Sequence, residues 1–290
     1  MKLSNPILFL IPALIWGSTF FVIKFQVGTV PPIWSVSYRF ILAGLILLLY
    51  CVFTQKNLKY SAVVHLRMLL QGALLFGFNY WLVYIAELEL TSGLVAVAFS
   101  CIIFMNIIFQ SIFLERKTEP KVFMGAFLGV GGTSLLFYQD LGGLDQPDFP
   151  LFSLGVCILS VVVASLGNIT SAFNQSLKIP VIQTNAFGML YGGLLMAVIA
   201  LVTNVPFQFL STFDYIGSLL YLSIFGSIIA FGSYLTLIGK IGPDKAAYVL
   251  IVIPGIAIVL SYLFEDFRLT ALVGVGMILI LGGNYIVLKK

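Results

Sequence analysis

The sequence contains few charged residues. Asp, Glu, Lys and Arg make up only 9% of its 290 residues, whereas a typical soluble domain has about 25%. Hydrophobic residues make up 60%, and the mean hydropathy is +1.10. Because so few ionisable groups cannot cover a water-exposed surface, this composition excludes an ordinary soluble domain.

Residues that serve catalysis and metal binding are also scarce. There is one histidine, His65, in a predicted cytoplasmic loop, and the three cysteines lie inside or at the edges of apolar runs. The sequence shows no P-loop, no zinc-protease histidine pair and no paired intramembrane aspartates. We therefore expect no enzyme activity, no metal or cofactor, no nucleic-acid partner, and no ATP-driven pumping by this chain alone.

Long apolar runs dominate the chain, and runs of about 20 residues match the roughly 30 Å hydrocarbon core of a bilayer. The first run is too long for the h-region of a cleaved signal peptide, so we expect it to remain in the protein. No connecting segment is long enough for a separate soluble domain. We predict an all-α membrane protein with ten transmembrane helices near residues 7–27, 33–53, 68–87, 91–114, 120–138, 150–173, 181–203, 212–236, 245–264 and 270–288.

The basic residues are distributed unequally between the two sides that alternating spans define. Of the 15 lysines and arginines, Lys24 and Arg39 fall inside spans and only Arg268 falls on the side opposite the N-terminus. Most of the acidic residues fall on that opposite side. Because Lys and Arg are enriched in short cytoplasmic loops, we predict that both termini are cytoplasmic.

The two halves of the chain resemble each other at an offset of about 150 residues. Because each copy has five spans, an odd number, the second copy enters the membrane from the opposite side. We predict two inverted repeats, residues 1–140 and 141–290, an architecture typical of alternating-access carriers with a substrate site near the midplane. The identical pairs are Gly17/Gly167, Tyr84/Tyr234, Ala96/Ala246, Ser111/Ser261, Glu115/Glu265 and Gly132/Gly282, with Pro32/Pro180 and Gly44/Gly192 at an offset of 148.

Several longer stretches carry a family resemblance. They are "IWGSTFFVIK" in span one, "SYRFILAGLILLL" (37–49), "FQSIFLERKTEPKVFMGAFLGVGG" (109–132) and its counterpart "IPGIAIVLSYLFEDFRLTALVGVGMILILGG" (253–283). With them the chain resembles the EamA-type ten-span exporters of the drug/metabolite transporter superfamily. The resemblance implies export of small metabolites, such as amino acids or their derivatives, through a central cavity lined by both halves. Phe104 stands opposite Pro254, so we expect the fourth span to be straighter than is usual in the family.

Four candidate site residues lie in the second and third spans. Arg39 lies inside its span, where a charge costs about 2.5–3.5 kcal/mol, so it should face protein or water and have a partner. That partner is either an anionic substrate group or a structural contact to backbone carbonyls or acidic loops. Asn79, Tyr80 and Tyr84 suit a pocket for an amphipathic solute, although Tyr84 also fits the interfacial aromatic belt.

The other candidates lie in spans with small and polar residues on one face, where both substrate contact and tight helix packing fit the pattern. Pro254 and Gly255 in the ninth span predict a kink or hinge. Lys24 lies near the end of the first span, from which its ammonium can reach the interface. The remaining candidate cavity residues are Trp16, Ser18, Ser100, Asn168, Ser227 and Tyr234.

The sequence thus predicts a monomeric or weakly dimeric carrier in the bacterial cytoplasmic membrane that exports small amphipathic metabolites by alternating access. Alternatives are an uptake carrier for an S-adenosyl compound or a nucleobase, a passive channel, and a receptor without transport. No acidic residue is predicted deep inside a span, whereas proton-coupled carriers commonly use a membrane-embedded carboxylate or histidine. The sequence therefore favours facilitated diffusion over proton coupling.

Overall fold

The computed structural model describes residues 3–23, 25–90, 95, 98–136, 138, 150–264 and 270–288, with only the backbone given for residues 20, 21, 257–264 and 288. Every regular element in this part of the chain is helical. A short helical turn, Pro243–Ala246, joins the eighth long helix to the ninth. The long helices are α1 (Asn5–Ile23), α2 (Pro32–Phe53), α3 (Ala62–Ala86), α4 (Ile102–Leu114), α5 (Pro120–Leu136), α6 (Leu151–Ser176), α7 (Val181–Val202), α8 (Phe213–Ile241), α9 (Tyr248–Phe264) and α10 (Ala271–Leu288).

Helix α3 begins earlier than predicted. It starts at Ala62 and includes His65, so the prediction that this histidine lies in a loop is wrong. The hydroxyl of Tyr191 lies 2.9 Å from Nδ1 of His65, and the guanidinium carbon of Arg67 lies 5.7 Å from the centroid of the Phe173 ring. Hydropathy placed the boundary too late because it scores these side chains as exposed to water and cannot detect their partners.

Five helices, α2, α3, α6, α7 and α8, are long and apolar enough to cross a membrane. Helices α1, α4, α5 and α10 contribute shorter apolar stretches. The chain is therefore a helical membrane protein, while the count of ten spans and the cytoplasmic side of the termini stay predictions. Lys24, Arg268 and the connecting residues 139–149 and 265–269, which hold several of the predicted outer acidic residues, lie outside the described residues.

Both ends of the described chain lie at the same end of the helix bundle. Asn5 at the start of α1 and Val287 near the end of α10 line one cleft, together with Lys121 at the start of α5. We call this end of the bundle the terminal end. In the predicted orientation it faces the cytoplasm.

Helices α2 and α7 approach closely through glycines. A Cβ atom at Gly44 would lie 2.5 Å from the backbone nitrogen of Leu190, and a Cβ atom at Gly193 would lie 2.7 Å from the backbone nitrogen of Ile41. Because the later residue of α2 meets the earlier residue of α7, the two helices run antiparallel.

Helices α5 and α10 also pack closely and antiparallel through glycines. A Cβ atom at Gly125 would lie 2.8 Å from the carbonyl oxygen of Gly283, and a Cβ atom at Gly132 would lie 2.6 Å from that of Gly276. Small residues let helices in a membrane approach this closely. The predicted counterparts α2 and α7, and likewise α5 and α10, thus pack as antiparallel pairs, and the inverted repeat itself stays a prediction.

Two helices contain a stretch of π-helix, Ala73–Phe78 in α3 and Leu222–Ile229 in α8. The two stretches lie about one repeat apart in the sequence. A π turn widens the helix and is found frequently at functional sites. Each stretch adjoins the cavity described next.

Candidate functional site

A cavity of about 610 Å³, its opening included, lies between helices of both halves of the chain. Helices α1 and α3 and the region where α4 begins supply one part of the wall, and α6, α8 and α9 supply the rest. The wall is largely apolar, as is usual in sites for small molecules. Its polar or partly polar side chains are Trp16, Thr19, Asn79, Tyr80, Asn168 and Tyr234.

Aromatic rings form one face of the cavity. The Trp16 ring lies edge-on to Phe231, at 4.9 Å between centroids, and to Tyr234, at 5.1 Å. Its Nε1 donates a hydrogen bond of 3.0 Å to the carbonyl oxygen of Gly226 in the π stretch of α8. Because both the ring packing and the polar end of Trp16 are satisfied, this face is held in place for an apolar or aromatic ligand group.

Hydrogen bonds of two asparagines hold helices together at the cavity wall and next to it. Nδ2 of Asn168 donates to the Tyr234 hydroxyl at 3.2 Å. On the adjacent helix, Nδ2 of Asn106 donates to the carbonyl oxygen of Pro243 at 2.9 Å, while its Oδ1 accepts from Ser165 at 2.7 Å. Asn106 thus joins α4 of the first half to α6 and the α8–α9 turn of the second.

Asn79 presents an unused acceptor beside the cavity. Its Nδ2 donates to the carbonyl oxygen of Leu75 in its own helix at 3.3 Å, whereas its buried Oδ1 has no hydrogen-bond partner among the described residues. A buried acceptor without a partner costs about 1–3 kcal/mol. A ligand ammonium or hydroxyl group at this position would remove that cost.

Arg39 of α2 is completely buried behind the cavity wall. Its Nε donates to Ser227 Oγ at 3.0 Å, and its Nη1 lies 3.5 Å from the Tyr84 hydroxyl oxygen. The guanidinium carbon lies 4.4 Å from the centroid of the Tyr80 ring, which is part of the wall. The third nitrogen, Nη2, has no hydrogen-bond partner within the described residues.

In the part of the chain that the structure describes, the contacts of Arg39 are with hydroxyl groups and aromatic rings. Both ion pairs found there involve Glu119 at the terminal end. The partner that the sequence led us to expect therefore consists of two hydroxyl groups and an aromatic ring. Because this positive charge lies next to the cavity, an anionic group in the cavity would be attracted to the Tyr80 side of the wall.

The structure divides the predicted site residues into three groups. The residues that line the cavity are Trp16, Asn79, Tyr80, Asn168 and Tyr234. Arg39 lies behind the wall, together with Tyr84 and Ser227, whose hydroxyl groups contact its guanidinium. Ser18 instead lies 2.7 Å from the Tyr221 hydroxyl at the α1–α8 contact, and Ser100 is buried away from the wall.

Pro254 lies inside α9 beside the lining residue Ile253, and a Cβ atom at Gly255 would meet no atom within 4 Å. Their role as a hinge stays a prediction.

Sequence reasoning missed most of the apolar wall and the asparagine beneath it. Phe231, Leu250 and Ile253 line the cavity, and no pattern separates such residues from apolar residues that face lipid or another helix. Thr19 lines the cavity, whereas the sequence predicts its neighbour Ser18 as a cavity residue. Asn106 has a polar amide in the middle of an apolar helix, and that signal was available.

Comparison with known proteins gives the family of the chain. The model of the EamA-like transporter family matches residues 4–138 and 151–289. The chain is 28% identical to the inner membrane transporter YedA of Escherichia coli over 250 residues, which are 86% of this chain and 78% of YedA. It is 23% identical to protein PagO of Salmonella typhimurium over 260 residues, which are 90% of this chain and 84% of PagO.

A solved crystal structure of a protein with 16% identity superposes with a TM-score of 0.80 and covers 98% of this chain and 96% of that chain. This likeness shows the fold of the chain.

Proposed function

The chain belongs to the EamA-like transporter family, and we propose that it is a secondary carrier for small amphipathic metabolites, working by alternating access. The observation that carries the proposal is the cavity between the halves, with an aromatic face and few polar atoms. The antiparallel packing of the predicted counterparts, α2 with α7 and α5 with α10, is the arrangement expected of two inverted copies. As the sequence predicts, we place it in the cytoplasmic membrane and propose export as its direction.

The cavity chemistry supports amino acids and related zwitterionic compounds as the substrate class. Trp16 and Phe231 offer apolar contact, Asn79 Oδ1 can accept from an ammonium or hydroxyl group, and Arg39 favours a negative group near Tyr80. A substrate with an apolar side chain, an ammonium and a carboxylate uses all three. A purely apolar solute would use only the first.

Counterflow in proteoliposomes tests carrier against channel. Liposomes loaded with an unlabelled amino acid should accumulate the labelled one transiently above its outside concentration, because a carrier exchanges substrate across the membrane faster than it returns empty. The amino acids with large apolar side chains should give the strongest response. Flux that increases linearly with concentration, without counterflow, would show a channel instead.

A matched pair of variants tests whether the cavity is the site. Asn79→Leu removes the unused acceptor and should raise the half-saturation concentration about tenfold or more, in line with one lost hydrogen bond to a charged group. Asn185→Leu is the control, because Asn185 is also a buried amide without hydrogen-bond partners but lies on α7, away from the wall. Equal effects of the two substitutions would remove Asn79 from the site.

We also propose that transport is not driven by protons. The support is the sequence prediction that no carboxylate lies deep inside a span. An imposed pH gradient should leave the initial rate of transport unchanged, and strong acceleration by the gradient would overturn facilitated diffusion.

A further inference from the structure

A second cleft, separate from the substrate cavity, opens at the terminal end of the bundle. It encloses about 1340 Å³, its open mouth included, between the first turns of α1, the last turns of α8 and α10, and the first turn of α5. Both halves of the chain contribute to it. Its wall combines the apolar side chains of Phe9, Leu10, Leu237, Ile241 and Val287 with three lysines.

The lysines make the cleft positively charged. Lys121, Lys240 and Lys245 all line it. Glu119 lies beside two of them, accepting from Lys245 Nζ at 2.5 Å and lying 3.1 Å from Lys121 Nζ. Lys240 Nζ donates to the carbonyl oxygen of Leu3 at 2.8 Å, which directs it to the first turn of α1. One carboxylate beside three ammonium groups leaves a net positive site, and each ammonium has three donors to share.

The apolar wall of the cleft continues onto the outside of the bundle. Leu10 lines the cleft and is 52% exposed, and Ile7 and Leu14, on the same face of α1, are 45% and 57% exposed. Their spacing of three and four residues makes this a continuous apolar row along the helix. A ligand with a negative head in the cleft could therefore extend a long apolar chain along the surface that faces lipid.

We propose that this cleft binds an anionic phospholipid, with the headgroup phosphate at the three lysines and an acyl chain along the exposed row of α1. Basic pockets between transmembrane helices are suited to anionic lipid headgroups. The continuity of the cleft with the exposed row favours a lipid over a free phosphate, because a soluble ion would use only the lysines. Since Lys121 and Lys245 belong to different halves, the headgroup would contact both.

The test compares lipids that share their acyl chains. The purified full chain in a mild detergent is titrated with dioleoyl phosphatidylglycerol or dioleoyl phosphatidylcholine, and the apparent affinity is obtained from the rise in melting temperature. Each basic residue near a membrane surface contributes about fivefold to the binding of anionic lipid. Two net charges therefore predict a preference for phosphatidylglycerol on the order of 25-fold at low salt.

Three variants decide the outcome. The triple substitution Lys121→Gln, Lys240→Gln, Lys245→Gln leaves Glu119 and should bring the ratio of affinities to one or below. Lys240→Gln alone should lower the ratio about fivefold while both contacts of Glu119 remain, which separates lipid binding from damage to the fold. The control changes three lysines of other connecting segments, Lys56, Lys59 and Lys178, to Gln, and should keep the full ratio.

Three results would overturn the proposal. They are an unchanged ratio in the triple variant, an equal loss in the control, and displacement of phosphatidylglycerol by inorganic phosphate at millimolar concentration. The last result would show that the lysines bind a soluble phosphate.

Discussion

Replacing Arg39 by methionine should weaken the binding of a substrate carboxylate without unfolding the protein. The guanidinium carbon lies 4.4 Å from the Tyr80 ring centroid, and a carboxylate in contact with the cavity face of the ring would lie about 3.5 Å further away. At a separation of about 8 Å and an effective dielectric of about 20, the attraction is about 2 kcal/mol. Arg39→Met should therefore raise the dissociation constant for a zwitterionic substrate by roughly 30-fold.

The fold should tolerate this substitution. The hydrogen bond from Arg39 Nε to Ser227 contributes about 1.5–3 kcal/mol because the donor is charged. The buried charge itself costs about 2.5–3.5 kcal/mol. Because these two contributions oppose each other, the melting temperature of the variant should stay close to that of the parent, and the loss of binding can then be assigned to the charge.

The assay is a binding titration with an amino acid and with its amide, which lacks the carboxylate. Arg39→Met should weaken the binding of the amino acid strongly and that of the amide by less than about threefold. Arg39→Lys keeps the charge, so it should retain most of the parent's difference in affinity between the amino acid and the amide. If the amino acid and its amide lose affinity equally, or if neither does, the charge of Arg39 does not act on the substrate.

Three further predictions concern the fold. Gly72→Ala should destabilise the protein by about 1–3 kcal/mol, because the added Cβ would lie 2.1 Å from a carbonyl oxygen of α7, whereas Gly131→Ala, with no atom within 4 Å, should not lower the melting temperature. Two neighbouring lysines donate hydrogen bonds to Glu119 and hold its pKa below the ordinary value of 4.5. The stability that is lost in Glu119→Gln should therefore be constant above pH 4.5 and should vanish as the pH falls through the lowered pKa. Asn106→Leu should lower the melting temperature by the equivalent of about 1–2 kcal/mol because it breaks hydrogen bonds between helices, and Asn284→Leu, which affects a bond within one helix, should have a smaller effect.

Hydropathy and proline positions located the helices because burial in lipid requires long apolar runs. Several boundaries differ by a few residues, since α1 ends at Ile23 rather than 27 and α8 continues to Ile241 rather than 236, and one boundary failed where a polar side chain has a partner inside the protein. His65 is the example, since it lies within α3 and contacts Tyr191. The π stretches, by contrast, carry no sequence pattern that we could use. The stretch in α8 accepts a hydrogen bond from Trp16 at the carbonyl oxygen of Gly226, a contact between residues far apart in the chain.

The candidate site was predicted best where a residue combines an aromatic ring with a polar group. Trp16, Tyr80 and Tyr234 line the cavity, as their chemistry suggested. Ser18 does not, because a small hydroxyl is equally useful at a helix contact, and its neighbour Thr19 faces the cavity. Whether the first or the second of two adjacent residues faces the cavity depends on how the neighbouring helices pack around α1.

The glycine contacts of α2 with α7 and of α5 with α10 restrict how the molecule can change shape. Backbones this close, with carbonyl oxygens directly facing glycines such as Gly132 and Gly276, leave no room for one helix to slide along the other. We therefore expect a large movement to keep these two pairs together as pivots, while the helices around the cavity tilt. A mutation at a pivot should consequently alter the rate of the conformational cycle even though it lies far from any bound solute.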